Sequence, residues 1–401
     1  MRSTLFDGEK LVKSNNTPVQ LSDDQINKKY IDGDIRIVTE QGRYPLETVH
    51  KMFSDKKKYN DRIDYQREYV WNNVKRSLLI ESFILNVPIP PIFLYEIEYS
   101  YYEIMDGKQR ISAIVDYYDD RYALEGLEIW SELNGKIYSE LPQKIKEGLD
   151  RRYLSSIIML KESEKDKFEV NRLKKIVFER LNTGGQKLTP QESRNAIFSG
   201  KFNDLCKKLA QNNRFREIWG IEKKIQQLSI FDDNEPNDLI KKSKLELHMQ
   251  DVELVLRYFA YRQIDSFDGN LNTFLDYYLD NANKYDDTLL ISLEKNFGEV
   301  IDFAYELFDG TPFRLWEFKN GNPSKKRSAV RTIYDPMMQV LNAFLSNKDA
   351  ILSKKDEIQA SYINLFREHS HEFSGKIQHR STIMAREEIF IKMIEDVLQN
   401  N

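Results

Sequence analysis

The hydrophobic pattern of this chain changes period at one dipeptide, Asp106–Gly107, and that change limits what the chain can form. Upstream, "IFLYEIEY" and "YYEIMD" are β-rich runs separated near Tyr99–Ser100, the pattern of a hairpin. Downstream, Ile111, Ile114, Val115 and Tyr118 recur at the spacing of one helix face. A strand therefore turns into a helix across Asp106, Gly107, Lys108, Gln109 and Arg110. A helix start offers free backbone N–H groups and the positive end of the dipole, and a glycine there lets a ligand approach closely; together these suit phosphate. Lys108 and Arg110 sit where the dipole disfavours cations by a few tenths to ~1 kcal/mol, which an anionic ligand would offset. Asp106 is read as a helix cap, a magnesium ligand or a water-positioning base. The plainer alternative is a simple cap with its basic residues in solvent. The chain has no GxxxxGK[ST] phosphate loop.

Around this turn the elements alternate. "IRIVTE" (Ile35 to Glu40) reads as a strand and "YPLETVHKMFSDKKK" as a helix opened by Pro45. A helix with Val74, Leu78, Leu79 and Phe83 follows and is stopped by "NVPIPP". "YLSSIIMLKE" reads as a strand, and a helix through "NRLKKIVFERL" ends at "NTGG". In "TPQE", Thr189 as N-cap, Pro190 at N1 and Glu192 at N3 form a capping box. Beyond Gly200 the pattern is helix after helix, broken at "FDDNEPND", "DSFDGNLN" and "FKNGNPSKKR". The expected fold is α+β: an arm over residues 1–34, a mixed α/β domain over 35–200 and an all-helical domain over 201–401.

Four blocks stand in order: "YQREYVW", "LLIESFILNVPIPPIFL", "MDGKQRISAI" and "FERLNTGGQKLTPQESRNAI". In this they resemble the N-terminal domain of the GmrSD family of modification-dependent restriction systems, whose hallmark is DGQQR. The resemblance implies a ParB/sulfiredoxin-like mixed-sheet domain that binds, and in members of the family hydrolyses, a nucleoside triphosphate with Mg²⁺. Through the motif it implies catalytic roles for Asp106, Gln109 and Arg110, with Asp106 holding the metal or orienting water, and the charge of Lys108 at the helix start makes it a further catalytic candidate. Gly107 and Arg110 match the family's phosphate-contacting turn, and Arg67, beside Gln66 in "YQRE", matches an earlier phosphate-facing arginine. The last block adds Asn182 and Thr183, and beyond them Arg194 and Asn195, either as nucleotide-pocket residues or as a turn and a solvated face. Lys108 stands where the family has glutamine. The family further implies foreign, modified DNA as a partner and a separate nuclease or defence subunit. The alternative function is a nucleotide-bound DNA- or protein-binding module without turnover.

Composition narrows the classes. The chain has 401 residues, 40% of them hydrophobic and 31% charged, and a net charge of −4. No apolar run is long enough to span a membrane, and a lone cysteine, Cys206, excludes an intrachain disulfide; a cytoplasmic protein is expected. Overall charge does not favour nucleic acid, so DNA binding falls to local clusters: Lys56–Lys58, and Lys325, Lys326, Arg327 with Arg331. Each is otherwise a solvated surface. The five histidines form no nuclease-like or metal-ligand pattern. Self-association into a homo-oligomer stays open.

Overall fold

A computed structural model describes residues 4–10, 22–31, 38–53, 59–60, 71–160, 171, 173–177, 180, 189–221, 244–267, 269–319, 322–373 and 379–399. The chain divides into two compact units, residues 17–187 and residues 1–16 with 188–401.

The first unit is built on a five-stranded mixed sheet. Its strands are β1 (Thr39–Pro45), β2 (Tyr59–Asn60), β3 (Ile92–Glu98), β4 (Tyr101–Asp106) and β5 (Tyr153–Met159), in the order β1-β5-β3-β4-β2. β3 and β4 form the expected antiparallel hairpin, turning at Ser100, which has a positive φ of 61°. β3 also pairs with β5 in parallel, so it lies mid-sheet, and Ile92, Leu94 and Tyr95 on it are buried. β1 is the strand nearest the expected Ile35–Glu40 run; it starts later, at Thr39, and pairs antiparallel with β5.

Among the described residues, helices Leu46–Phe53, Asn73–Ile84 and Lys108–Tyr118 pack with the sheet in one core. Lys108–Tyr118 packs against both of the others, and its Ile111, Ala113, Ile114 and Tyr117 enter one core with Leu46, Val49, Ile80, Phe83 and Ile92. Helix Asn73–Ile84 starts where Asn72 accepts a hydrogen bond from the Lys75 N–H (3.0 Å). Its inward face is Leu79, Ile80 and Phe83, whereas Val74 and Leu78 stay partly exposed. Glu81 is buried among the apolar residues because its carboxylate accepts the backbone N–H groups of Ile129 (3.2 Å) and Trp130 (2.9 Å).

The second unit is mainly helical. The capping box at Thr189 forms as read: its hydroxyl accepts from the Glu192 N–H (3.3 Å), and Glu192 accepts from the Thr189 N–H (2.6 Å). The core is aromatic, with Phe202, Phe215, Tyr258, Phe259, Tyr278, Phe297 and Tyr334 buried. Cys206 is buried there as a small apolar residue, and burial pushes its thiol pKa up. The unit is not all-helical. β6 (Arg314–Lys319) and β7 (Asn322–Ala329) form an antiparallel hairpin where a polar break was expected. β7 reads NPSKKRSA and is exposed along nearly its whole length, so it carries no alternating apolar pattern.

Residues 4–10, the described beginning of the expected arm over residues 1–34, pack into this unit. Glu9 is fully buried, and its carboxylate takes both the Nε (2.6 Å) and Nη2 (2.8 Å) of Arg262. The Glu9 carbonyl accepts from the Tyr285 hydroxyl (2.8 Å) and from the Gln263 amide, and Phe6 lies 5.1 Å from the Arg262 guanidinium. Glu9→Ala strands a buried guanidinium and should destabilise the protein by about 3–5 kcal/mol, read by urea denaturation. A loss below about 1 kcal/mol would contradict the described packing.

Candidate functional site

The turn after β4 is shaped by one glycine. Gly107 has φ 101° and is the N-cap of helix Lys108–Tyr118. A Cβ built on it would lie 2.8 Å from the Cβ of Ile92 and 3.3 Å from its Cα, and Ile92 is fully buried on β3. Both the dihedral and the space thus require glycine. The glycine cap leaves this helix without a side-chain cap, which corrects the reading of Asp106 as the N-cap.

Asp106 is the last residue of β4 and points to Arg110 instead, one helical turn on. Its Oδ2 accepts from the Arg110 Nη2 at 2.7 Å, with Arg110 12% and Asp106 35% exposed. The Arg110 Nη1 also donates to the carbonyl of Pro90 and, at 3.4 Å, to that of Pro91. Those carbonyls belong to the "PIPP" segment that enters β3. Arg110 therefore links the strand before the turn, the turn and the helix after it. Gln109 makes a further link: its Oε1 accepts the backbone N–H of Trp71 at 3.2 Å. Trp71 is the last residue of the "YQREYVW" block and packs on the core, with Lys75 5.0 Å from its ring centroid. Lys108 is on the first turn and partly exposed.

The neighbouring carboxylate on β4 is engaged elsewhere. Glu103 receives the Lys174 ammonium (2.9 Å), which also lies 3.5 Å from the Tyr95 ring centroid. Among the described residues, no group of three or more His, Cys, Asp or Glu is placed to hold a metal ion. A Mg²⁺ that arrives with a nucleotide needs only one or two carboxylates, because phosphates and water complete its shell. Asp106 is the carboxylate at this turn that fits such a role.

The remaining expected site residues fall in three places. Gln66, Arg67, Asn182, Thr183 and Lys56–Lys58 lie outside the described residues. Arg194 and Asn195 belong to the helical unit and are buried, Arg194 completely. The Arg194 guanidinium meets Asp276 (2.7 Å), Asn272 (2.6 Å), Gln191 (2.9 Å) and Glu253 (3.3 Å), all within that unit, and Asn195 accepts from the Asn203 amide (2.7 Å). Their place in the structure is a buried polar network, not a solvated face. The third group is the basic cluster on the hairpin. Lys325 donates to the Thr311 hydroxyl and sits 5.6 Å from the Trp316 ring, and burial lowers its pKa. Lys326 pairs with Glu317 (2.8 Å), Arg327 is exposed, and Arg331 opens the following helix. Sequence reasoning missed the arginine–carboxylate pairs of the helical unit, since their partners lie far apart in the chain.

Gly107→Ala combines a positive φ with overlap on Ile92, and should destabilise the sheet unit by about 2–4 kcal/mol in urea denaturation. A cost near zero would mean that the turn does not have this geometry.

No helix among the described residues is long and apolar enough to cross a membrane. Neither a curated protein nor a solved structure matches the chain. Residues 49–199, which contain the Asp106–Arg110 turn, match the family model of the GmrSD restriction endonuclease, N-terminal domain. This part of the chain is accordingly a domain of the GmrSD type, a family of restriction-type defence proteins.

Proposed function

We propose that this protein binds a nucleoside triphosphate with Mg²⁺ at the Asp106–Arg110 turn, hydrolyses it, and serves as the sensor subunit of a defence system. The reading rests on one observation above the others: a helix without a side-chain cap opens at a buried left-handed glycine, with an aspartate–arginine pair across its first turn. The helix start supplies N–H donors and Lys108 and Arg110 supply charge, with Gly107 allowing the left-handed turn that opens the helix.

The pair also suggests how the site responds. Asp106 neutralises Arg110 at 2.7 Å. A phosphate at the helix start would compete for Arg110 and free the Oδ2 of Asp106 that Arg110 holds. Asp106 is then available to hold Mg²⁺ or orient the attacking water, while Lys108 and Arg110 stabilise the charge spreading over the transferred phosphoryl group. Gln109, through the Trp71 N–H, would pass the change to the preceding block. Foreign DNA as the signal and a separate nuclease as the effector complete the proposal, with the exposed Lys326 and Arg327 as phosphate contacts.

A second reading keeps the nucleotide and drops turnover. It is favoured by Lys108, which stands where the family motif has glutamine.

The two readings separate in a phosphate-release assay over all four ribonucleoside triphosphates with Mg²⁺, with and without DNA. Hydrolysis predicts release that Asp106→Ala lowers by about 100-fold or more. Arg110→Ala should weaken nucleotide binding by about 10-fold or more, the scale of a charge-assisted contact. Release that Asp106→Ala leaves unchanged would remove the assignment. Nucleotide that raises the melting temperature without release would select the second reading.

A further inference from the structure

Residues 4–10, TLFDGEK, bring their own shape to the helical unit. Gly8 has φ 83°, and the Glu9 N–H donates to the Phe6 carbonyl (3.0 Å), which closes a tight turn over Asp7 and Gly8. The Glu9 carboxylate also reaches back to accept the Phe6 N–H (2.9 Å). Neighbours three residues apart therefore set the turn. It buries one side chain, that of Glu9; Thr4, Asp7, Gly8 and Lys10 are exposed, and Leu5 and Phe6 are half-buried.

The place that receives Glu9 is a socket of donors. The Arg262 Nε and Nη2 hold the two carboxylate oxygens, while the Gln263 amide and the Tyr285 hydroxyl donate to the Glu9 carbonyl. The Arg262 Nη2 also donates to the Thr4 carbonyl (3.2 Å). Among the described residues, Glu9 is the carboxylate paired with Arg262, and the nearby charges of Lys295 and Glu299 face each other (3.8 Å). Away from Glu9 the fit is loose. Thr4, Phe6 and Arg262 line a cavity of about 580 Å³ together with Asn296 and Asn342. One ionic anchor, rather than a packed apolar surface, thus holds the segment.

Such an anchor limits how the segment can leave. A buried guanidinium without a partner is costly, so Glu9 gives way only as another carboxylate arrives. Replacement by an identical turn restores every contact and has little net cost. We propose that the Arg262 socket accepts the Phe6–Glu9 turn of a second copy of this chain as well as its own, so that two copies associate by exchanging residues 4–10. The second copy carries the same phenylalanine, glycine and glutamate at the same spacing, and two such exchanges close into a two-fold pair. This association is independent of the nucleotide chemistry at Asp106.

The test is sedimentation of the full chain over a range of concentrations, with the peptide TLFDGEK, blocked at both ends, as competitor. The expected result is a dimer that excess peptide converts to monomer. A Glu9→Gln peptide should leave the dimer intact. An Asp7→Asn peptide, which changes only an exposed carboxylate, should act as the unaltered peptide does. A second measurement uses the Phe6→Ala chain, which keeps the pair between Glu9 and Arg262 but loses the ring 5.1 Å from the guanidinium. A labelled TLFDGEK peptide should bind this chain about 5-fold or more tightly than wild type, because the resident segment competes less well. A chain that stays monomeric over the whole range overturns the proposal. So does a dimer that ignores the peptide, or one that the Glu9→Gln peptide dissociates equally well. Equal binding of the labelled peptide by wild type and Phe6→Ala would also count against it.

Discussion

The contact between Gly107 and Ile92 sets the geometry of the sheet unit around the candidate site. Ile92 starts the central strand and is fully buried, and the backbone of Gly107 lies so close to it that a Cβ has no room. That approach fixes where β4 ends, the direction in which helix Lys108–Tyr118 leaves, and which of its faces enters the core. It also keeps the helix start free of a capping side chain. The same turn that closes the core therefore carries a polar cluster at its edge. Arg110 anchors that cluster, tied to Asp106 on one side and to the carbonyls of Pro90 and Pro91 on the other. A residue held by several acceptors is well positioned, and an arriving anion has to exchange for one of them.

The helical unit is organised by a different constraint, the need to satisfy arginines that its packing buries. Arg194, Arg257 and Arg262 are each enclosed, and each has a carboxylate partner: Asp276, Asp335 and Glu9. Such pairs add little net stability over apolar packing, but removing one partner is expensive, so they specify which segments meet. Glu9 in this way fastens the beginning of the chain to a helix more than 250 positions later. Arg194 likewise ties helix Pro190–Ile197 to Asn272 and Asp276 on helix Leu271–Ala282 and to Glu253 on helix Gln250–Tyr261.

Local signals carried much of the fold in the sequence. The period change at Asp106, the hairpin turning at Ser100 and the capping box at Thr189 all depend on neighbours a few residues apart, and all three form. What was hidden depends on distant partners. Nothing near Arg194 reveals that its charge is answered by Asp276, so a buried network read equally well as a pocket or a solvated face. Nothing in NPSKKRSA signals a strand, because β7 has no buried face and is held by its ladder with β6. Helix Asn73–Ile84 was legible as a helix, but its buried side includes Glu81, whose acceptors are filled from Ile129 and Trp130 far along the chain. At the candidate site, residue types and spacing were legible; the Asp106–Arg110 pair in place of an aspartate cap was not.

In the proposed mechanism a nucleotide phosphate replaces Asp106 as the partner of Arg110. A crystal structure of the full chain with a non-hydrolysable nucleoside triphosphate and Mg²⁺ tests it most directly. Phosphate oxygens should then lie at the first turn of helix Lys108–Tyr118, within hydrogen-bond distance of Arg110 and Lys108, with the Asp106 carboxylate turned from Arg110 toward the metal. A nucleotide bound elsewhere, with the 2.7 Å pair between Asp106 and Arg110 intact, would contradict it.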